Sequence, residues 1–308
     1  MTNVQSTVVA LPKTSAKAGL GNQIFGLLGE TFPTGSVKFV SVLGMMAHLE
    51  NTGALGPHVE RVYASTSGNT GLAAASLCAD RGLEFHAVVD ARIEAEKEAA
   101  LVAAGAQVVR VNGDVLDRVR IAKEMSRVNP NSVDLDQYGN PGALLGHFQV
   151  TGPAIWQEMR GQVDALVVAI GTGGTFGGVA AFLTQQKPDL ITIAVDAYGS
   201  ALVHGKVSRR LLTGVGCGFI PNNVRRAYRF IRSAPYVAHD GESFRAARWL
   251  REHEGIGVGG SGGAVLCAGL DLARRVDSKR ILLLFHDGAE AYQSTVFSDE
   301  WMSANGFM

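Results

Sequence analysis

The sequence has few charged residues and few cysteines. Asp, Glu, Lys and Arg make up 18% of the 308 residues, and 28 acidic residues balance 28 basic ones. A chain without net charge has no general attraction for nucleic acid or for an anionic membrane surface. The three cysteines, Cys78, Cys217 and Cys267, lack the close spacing of a zinc site or a secreted disulfide framework. These shortages predict a cytoplasmic protein that acts on small molecules and binds no metal.

Long apolar segments are also scarce. The N-terminus lacks a basic stretch followed by an apolar core, so we expect no signal peptide. Residues 165–183 carry no charged side chain and approach the length of a membrane span. Glycines interrupt this run from residue 171 onward, a pattern typical of a strand, a loop and a helix start. We therefore expect no membrane span.

Glycine, in contrast, is abundant, with 38 among 308 residues, whereas an average protein contains about 7%. The glycines follow no three-residue period, which excludes collagen. They separate short apolar runs from longer helical patterns, an alternation typical of an α/β fold with parallel sheets covered by helices. The predicted strands are 61–64, 84–89, 107–111, 165–170, 191–196 and 280–285. The predicted helices are 37–50, 71–80, 93–104, 115–127, 143–160, 177–186, 243–254 and 262–275.

The chain has no internal repeat and no Pro/Ser-rich linker that would separate independent modules. The alternation from about 60 to 127 can form one compact sheet. The polar segment 129–141 follows, and a second alternating region begins near residue 161. The sequence therefore predicts two α/β units with a ligand cleft between them.

Two polar clusters are candidate anion sites. Residues 66–71, Thr-Ser-Gly-Asn-Thr-Gly, follow a predicted strand and precede a helix, and residues 171–175, Gly-Thr-Gly-Gly-Thr, do the same. The free N–H groups and the positive dipole end of a helix favour a carboxylate or phosphate there. The alternative interpretations are an ordinary helix N-cap for the first cluster and a tight turn for the second. No Lys-Ser or Lys-Thr pair follows the second cluster, so it is not a nucleoside-triphosphate loop.

A third cluster, residues 259–263, reads Gly-Gly-Ser-Gly-Gly. It satisfies the G-x-S-x-G pattern of serine hydrolases, with Asp277 and His286 downstream, and the run from Gly257 also satisfies a dinucleotide-binding pattern. Both patterns require a preceding strand, and residues 252–256 do not form one. A serine hydrolase with Ser261 as nucleophile and a dinucleotide enzyme are therefore distant alternatives.

One lysine is a candidate catalytic residue. Lys38 lies among Val37, Phe39 and Val40 at a predicted helix start. Apolar surroundings disfavour the ammonium form and lower its pKa, as an amine needs in order to react with a carbonyl group. The alternative interpretation is a surface lysine whose charged end reaches solvent.

Together and in this order, these segments resemble the cysteine synthase family, which are pyridoxal-phosphate enzymes with the tryptophan synthase β-subunit fold. The similarity extends from about residue 30 to residue 301. It rests on segments 33–38, 66–71, 136–141, 151–153, 171–175, 214–221 and 259–262. The resemblance implies two three-layer α/β domains with mainly parallel sheets. Residues 1–39 and 146–308 would form the larger, cofactor-binding domain, and 40–145 a smaller domain that closes over substrate. A homodimer is also implied.

The resemblance assigns roles to particular residues. Lys38 would hold pyridoxal 5'-phosphate and move the Cα proton of the substrate. Asn69 would lie beside the 3-hydroxyl of the cofactor, and Ser261 would face its pyridine nitrogen. The residues implied to hold the cofactor phosphate are Gly171, Thr172, Gly173, Gly174 and Thr175. The residues implied to bind the substrate carboxylate are Thr66, Ser67, Gly68, Thr70 and Gln137.

The implied reaction is β-replacement on an activated L-serine, O-phospho-L-serine or O-acetyl-L-serine, through an aminoacrylate. Phe32, Phe39 and Val40 replace the usual Asn and Asp-Arg beside the lysine, which suggests a relative specialised away from plain cysteine synthesis. Segments 195–200, 259–261 and 296–301 most resemble the siderophore- and antibiotic-pathway enzymes that join O-phospho-L-serine to the amine of L-glutamate to give N-(2-amino-2-carboxyethyl)-L-glutamate.

The second substrate is then predicted to be an amino-acid amine such as L-glutamate, and the alternative is sulfide or another sulfur nucleophile. The carboxylates of glutamate would need a cationic partner at the mouth of the site. Lys206, Arg209 and Arg210 are the candidates for that partner.

Overall fold

A computed structural model describes residues 7–66, 68–203, 205 and 207–308. Within these residues the strands form two sheets, one of six strands and one of four. The strands are β1 (Val8–Ala10), β2 (Gln23–Leu28), β3 (Arg61–Ser65), β4 (Glu84–Asp90), β5 (Ala106–Val111), β6 (Ser132–Asp134), β7 (Ala165–Ala169), β8 (Ile191–Ala197), β9 (Tyr236–Ala238) and β10 (Arg280–Phe285).

Helices cover both sheets. They are α1 (Pro12–Ala18), α2 (Lys38–Asn51), α3 (Asn69–Ala79), α4 (Ala95–Ala103), α5 (Val115–Val128), α6 (Gly142–Gln149), α7 (Thr151–Glu158), α8 (Gly174–Gln186), α9 (Asn222–Ala227), α10 (Asp240–Glu254), α11 (Gly260–Ala273) and α12 (Asp299–Ala304). No described helix is long and apolar enough to span a membrane.

The larger sheet has the order β1-β2-β10-β7-β8-β9, and all its pairs are parallel except β1 with β2. Every residue of β7 is buried, as expected for a central parallel strand with helices on both faces. The register places Leu283 of β10 between Gly26 of β2 and Val167 of β7. Two apolar clusters lie on the two faces of this sheet, so its strands are rigidly held.

The smaller sheet has the order β5-β4-β3-β6 and is entirely parallel. Val62 of β3 pairs with Phe85 of β4 on one side and with Val133 of β6 on the other. A separate apolar cluster that includes residues of α2, α3 and these strands forms its core. The predicted α/β architecture with mainly parallel sheets is confirmed.

Glycines let helices α2 and α6 pack backbone against backbone. A Cβ at Gly44 would lie 2.2 Å from the carbonyl oxygen of Gly142, and one at Gly146 would lie 2.5 Å from that of Val40. Neither position tolerates a side chain without displacement of a helix. Because α2 begins at Lys38, this packing sets where the lysine lies.

The predicted helix 143–160 is wrong as a single element, since the chain forms α6 and α7 with a break at Val150. Val150 has φ −116° and ψ −65°. Pro153 lies in the first turn of α7, where backbone N–H groups have no partner within the helix, so proline is tolerated there. In a continuous helix its ring would clash with the preceding turn. Proline therefore ends α6 and starts α7.

Four strands were not predicted from the sequence: β1, β2, β6 and β9. Three of them have only three residues each. β6 lies inside the polar segment 129–141, which had been predicted to be a connection between units. Pairing with β3 supplies the hydrogen bonds that make a strand of this short polar run.

Candidate active site

The main cavity has a volume of about 500 Å³ and lies at the carboxyl ends of strands from both sheets. Parallel strands end on the same edge, and ligands of open α/β sheets bind there. The chain after β3, after β7 and after β10 contributes to its lining, and Lys38 also lines it. The predicted cleft between two α/β units is therefore present.

Backbone contacts join Lys38 to the end of β10. Val37 donates its N–H to the carbonyl oxygen of His286 at 3.0 Å, and Ser36 forms an isolated antiparallel bridge with Asp287. Ser36 Oγ accepts the N–H of Lys38 itself at 3.2 Å. The lysine thus begins a helix that is attached to a central strand of the larger sheet.

Burial controls the charge of Lys38 and its neighbours. It lowers the pKa of the Lys38 ammonium, and the nearby Asp287 carboxylate opposes this shift. His286 is buried with its pKa lowered to about 3, because burial and the charge of Lys38 both disfavour its cationic form. Neutral His286 adds no positive charge to the site. Lys38 is consequently easier to deprotonate than an exposed lysine, which suits attack on a carbonyl group.

The loop Gly171–Thr175 follows β7 and enters α8. Gly171 and Thr172 line the cavity, Gly173 is the N-cap of α8, and Gly174 and Thr175 begin the helix. Gly173 has φ +92°, and a Cβ there would lie 2.6 Å from the backbone nitrogen of Val224. Glycine is therefore required for this turn, which places the N-terminus of α8 directly after the cavity-lining residues Gly171 and Thr172.

Thr175 is supported from behind by a buried histidine. His147 Nε2 lies 3.2 Å from Thr175 Oγ1 and 2.9 Å from Ser41 Oγ, while its Nδ1 lies 2.9 Å from Thr151 Oγ1. Burial lowers the pKa of His147 well below its ordinary value, so the ring is neutral. His147 therefore joins the loop 171–175 to helix α2 through hydrogen bonds.

The segment 66–71 follows β3 and enters α3 on the opposite side of the cavity. Thr66, Gly68, Asn69 and Thr70 all line the cavity, and Ser67 lies outside the described residues. Thr70 donates its hydroxyl to Gln137 Oε1 at 2.9 Å, and Gln137 Nε2 donates to the carbonyl oxygen of Ser65. Gln137, which lies 67 positions from Thr70 in sequence, is thus brought to this loop as predicted.

Asn69 makes a contact that the sequence did not suggest. Its Nδ2 donates to Asp287 Oδ2 at 2.7 Å, and Tyr292 donates its hydroxyl to the same oxygen at 2.8 Å. All three residues line the cavity. Asp287 follows a strand that was correctly predicted, so its position at a strand end was the signal that could have identified it.

Ser261 lies in the first turn of α11 and is 1% exposed. Its Oγ has no hydrogen-bond partner within the described part of the chain. Gly214 lines the cavity, and a Cβ added to it would lie 3.2 Å from this oxygen. The Ser261 hydroxyl therefore lies directly behind a lining residue of the cavity. A buried polar atom without a partner is the expected state of a group that pairs with a ligand.

The geometry does not support a serine hydrolase. Neither Ser261 Oγ nor His286 Nε2 has a hydrogen-bond partner among the described residues, so no hydroxyl–imidazole pair forms. Residues 255–259, which precede α11, are not a strand, and a nucleophile elbow requires one.

The cationic residues predicted for a second carboxylate do not meet at the cavity. Lys206 lies outside the described residues. Arg210 donates to the carbonyl oxygen of Gly199, and neither it nor Arg209 lines the cavity. Arg118 of α5 does line it, and donates to Asp90 Oδ2 at 2.9 Å. Arg118 belongs to none of the motif segments, and only the position of α5 in the tertiary structure reveals it.

Comparisons with known proteins define the class. The family described as pyridoxal-phosphate dependent enzyme matches residues 2–287. Cystathionine beta-synthase of Apis mellifera is 32% identical over 317 residues, or 99% of this chain and 62% of that protein. The chain thus spans less than two thirds of the length of that relative.

Two further proteins match over most of their length. The N-(2-amino-2-carboxyethyl)-L-glutamate synthase of Ralstonia nicotianae is 33% identical over 291 residues, which cover 91% of this chain and 84% of that one. A crystal structure of cysteine synthase from Entamoeba histolytica has a TM-score of 0.88 and 27% identity, and covers 98% of this chain and 92% of that one.

The chain therefore belongs to the pyridoxal-phosphate dependent enzymes and, within them, to the cysteine synthase family. The family and the cofactor predicted from the sequence are confirmed. The residues present fit that cofactor: Lys38 and the loop residues Gly171 and Thr172 line one cavity, and next to its lining residue Gly214 lies the Ser261 hydroxyl, which has no partner among the described residues.

Proposed function

We propose that this protein catalyses β-replacement on an activated L-serine, with pyridoxal phosphate held by Lys38. The observation that carries the proposal is that Lys38 lines one cavity together with the N-terminus of α3 and with Gly171 and Thr172 of the loop that leads into α8. One N-terminus serves the cofactor phosphate and the other serves the substrate carboxylate. The lysine between them reaches the carbon atoms that react.

The cofactor would be held by residues from both sides of the cavity. Gly171, Thr172, Gly173, Gly174 and Thr175 bind the phosphate. Asn69 donates to the ring oxygen, and Ser261 pairs with the ring nitrogen. When bound, the cofactor withdraws the electron pair that is left when the Cα–H bond breaks. Because Ser261 is neutral, it does not hold the ring nitrogen protonated, which favours elimination at Cβ over complete transamination.

The substrate would be held by its carboxylate. Thr66, Gly68 and Thr70 would surround that group at the start of α3, and Gln137 orients Thr70 through the 2.9 Å hydrogen bond. The dipole of α3 adds attraction for the anion. Lys38 Nζ, with its pKa lowered by burial, takes the proton from Cα. The leaving group then departs from Cβ, and a nucleophile adds there.

We assign the nucleophile as an amino-acid amine such as L-glutamate. The name of the Ralstonia relative, at 33% identity, supports this assignment. The cavity lining also supports an amine, since Glu94, Glu96 and Glu290 lie at its edge and Lys97 pairs with Glu94 at 2.9 Å. The carboxylates that form no ion pair within the described residues attract the ammonium group of an amino acid, whereas the carboxylates of that amino acid need a cation.

Arg118 is the candidate partner for a carboxylate of the second substrate, or for a phosphate leaving group. Its guanidinium has five N–H donors. The described hydrogen bonds, to Asp90 and to the carbonyl oxygen of Gly113, both come from Nη1, which leaves the donors of Nη2 and Nε for a ligand. Asp90 also accepts from Arg92, so its charge remains compensated while Arg118 engages a ligand.

Sulfide remains the second candidate nucleophile. The observation in its favour is the similarity to the Entamoeba histolytica cysteine synthase, at a TM-score of 0.88. The donor, O-phospho-L-serine or O-acetyl-L-serine, is open in both cases.

We also propose that residues 40–145 form a smaller domain that closes over substrate against residues 1–39 and 146–308. Side-chain hydrogen bonds between the two parts include Asn69 to Asp287, Ser294 Oγ to Glu96 Oε2 at 3.4 Å, Ser41 Oγ with His147 Nε2, and Asn223 Nδ2 to the carbonyl oxygen of Asn140. The proposal is supported by the cavity, which residues of both parts line. A homodimer and a cytoplasmic location stay predictions from the sequence.

The first test locates the cofactor. The purified protein is supplied with pyridoxal phosphate, reduced with borohydride and digested, and the pyridoxyl group is located by peptide mass spectrometry. We expect it on Lys38. Lys97→Ala, which removes a second cavity-lining lysine, keeps the label and Lys38→Ala loses it. A label on any other lysine contradicts the proposed site.

The second test identifies the nucleophile. Each donor is mixed with L-glutamate, with sulfide and with a panel of amines, and products are identified by mass spectrometry. We expect a new C–N bond at Cβ, with kcat/KM for L-glutamate above that for sulfide. A higher kcat/KM for sulfide would reassign the protein as a cysteine synthase, and consumption of neither donor would contradict β-replacement.

A further inference from the structure

Asp287 is a buried carboxylate at the centre of the site, and the roles proposed above do not use it. It lies two residues after the end of β10, is 6% exposed and lines the same cavity as Lys38 and Asn69. Burial of a carboxylate is costly unless hydrogen bonds or a cation compensate it. The arrangement around Asp287 therefore needs a reason.

The compensation comes from three directions. Burial raises the pKa of the Asp287 carboxyl, and three contacts oppose this shift: Oδ2 accepts from the Tyr292 hydroxyl at 2.8 Å and from Asn69 Nδ2 at 2.7 Å, and the charge of Lys38 lies nearby. Burial raises the pKa of Tyr292 well above its ordinary value, so the phenol stays a neutral donor. Oδ1 has no hydrogen-bond partner within the described residues.

The contact with Asn69 has a directional consequence. A carboxylate is only an acceptor, so it pairs with the NH2 end of the amide and never with its oxygen. The amide has two N–H donors, and Asp287 occupies one. The other remains to donate into the cavity. Without Asp287 the amide would be free to rotate and present its oxygen there instead.

The contact also joins the two sheets. Asn69 begins α3, which packs on the smaller sheet, while Asp287 follows the central strand of the larger sheet. The two residues are 218 positions apart in sequence. The orientation of the Asn69 amide is thus fixed relative to β10, the strand to whose end the start of the Lys38 helix is hydrogen-bonded.

We propose that Asp287 is a positioning residue that fixes the Asn69 amide, so that its free N–H donates to the ring oxygen of bound pyridoxal phosphate. This inference rests on the cofactor site proposed above. Asp287 acts through Asn69, so its effect disappears when Asn69 is absent.

A double-mutant cycle tests this dependence. Asp287→Asn, Asn69→Ala and the double variant are loaded with cofactor, and the near-ultraviolet and visible absorption bands are recorded without substrate, together with the cofactor dissociation constant. The relative intensity of these bands reports the proton and hydrogen bonds at the ring oxygen. Asp189→Asn, the same change at an exposed carboxylate, is the matched control and leaves both quantities unchanged.

We expect each single variant to change the band ratio in the same direction and to weaken cofactor binding about tenfold. The double variant should match Asn69→Ala within twofold in both measurements. If Asp287→Asn changes the spectrum equally whether or not Asn69 is present, Asp287 acts on Lys38 directly and the proposal is wrong. An unchanged spectrum in Asp287→Asn overturns it as well.

A second variant separates the position of the carboxylate at residue 287 from its charge. It also replaces Asp287→Asn in the test if that variant does not fold. Asp287→Glu keeps the charge but moves the carboxylate by one methylene away from its contact with Asn69. Positioning predicts the altered band ratio in this variant, and wild-type bands would refute it. Failure of the wild-type protein to form a borohydride-stable label on Lys38 would instead refute the proposed function, so the two failures are distinguishable.

Discussion

The unpaired hydroxyl of Ser261 leads to a prediction whose sign depends on the cofactor. Ser261 is 1% exposed, lies in the first turn of α11 and has an Oγ without a partner in the described structure. In the cofactor-free protein this hydroxyl has lost its hydrogen bonds to water without gaining a hydrogen bond to the described part of the protein. Ser261→Ala should therefore stabilise the cofactor-free protein and weaken the binding of pyridoxal phosphate.

The magnitude follows from the cost of an unsatisfied buried group, about 1–3 kcal/mol. We take about 1 kcal/mol, since the protein relaxes around the hydroxyl. Unfolding entropy of about 2 cal/mol/K per residue gives roughly 0.6 kcal/mol/K for a chain of this length, so Tm of the cofactor-free protein should rise by about 1.5 °C. Loss of the hydrogen bond to the ring nitrogen, worth about 1.4 kcal/mol, should weaken cofactor binding about tenfold.

Calorimetry of both forms and a cofactor titration measure these effects. The matched control is Ser243→Ala in the neighbouring helix α10, because Ser243 is equally buried but its Oγ donates to the carbonyl oxygen of His239 at 2.7 Å. That variant should lose stability in both forms alike. If Ser261→Ala also lowers the stability of the cofactor-free protein, its hydroxyl pairs within the protein and the assignment to the ring nitrogen is refuted.

Three other perturbations give direct tests. Gly173→Ala should weaken cofactor binding at least tenfold and lower Tm by a few degrees in a thermal melt, because φ is +92° and the new Cβ would lie 2.6 Å from the nitrogen of Val224. Arg118→Ala should raise KM for the substrate whose anionic group it pairs with by about tenfold, whereas Arg209→Ala, outside the cavity, should leave it unchanged; steady-state kinetics decide between the two residues. Burial raises the pKa of Asp134 to about 6 from 3.8. Between these two pH values the folded protein keeps this proton, whereas the unfolded chain has lost it. Stability from this group is present at pH 4 and is lost as the pH rises through 6, and Asp134→Asn should remove that loss in urea titrations at the two pH values.

Local patterns in the sequence were enough to find the parts of the site that lie within one strand–loop–helix unit. The glycine loop 171–175 and the polar loop 66–71 both follow apolar strands and precede helices, and both occupy those positions in the structure. Lys38 was identified by its apolar neighbours at a helix start. A repeating side-chain period and a capping pattern arise from neighbours along the chain, so these features are legible without the fold.

The same reasoning was wrong or silent wherever the partner is distant in sequence. The helix 143–160 was predicted whole, although Pro153 ends the first half. Short strands such as β6 exist because a neighbouring strand supplies their hydrogen bonds. Arg209 and Arg210 were chosen as basic residues in a loop, whereas the register of the smaller sheet and the packing of α5 bring Arg118 to the cavity.

By itself, the sequence determined the α/β class, the family and the cofactor, and it predicted Lys38 as the cofactor lysine, because each depends on residue types in a short, ordered pattern. Only the tertiary structure decided that Asn69 meets Asp287 and that Arg118 lines the cavity. The contact between Asn69 and Asp287 depends on how the two sheets are placed relative to each other. Burial is likewise a property of the assembled core. It lowers the pKa of Lys38, and it leaves the Ser261 hydroxyl without a hydrogen-bond partner among the described residues.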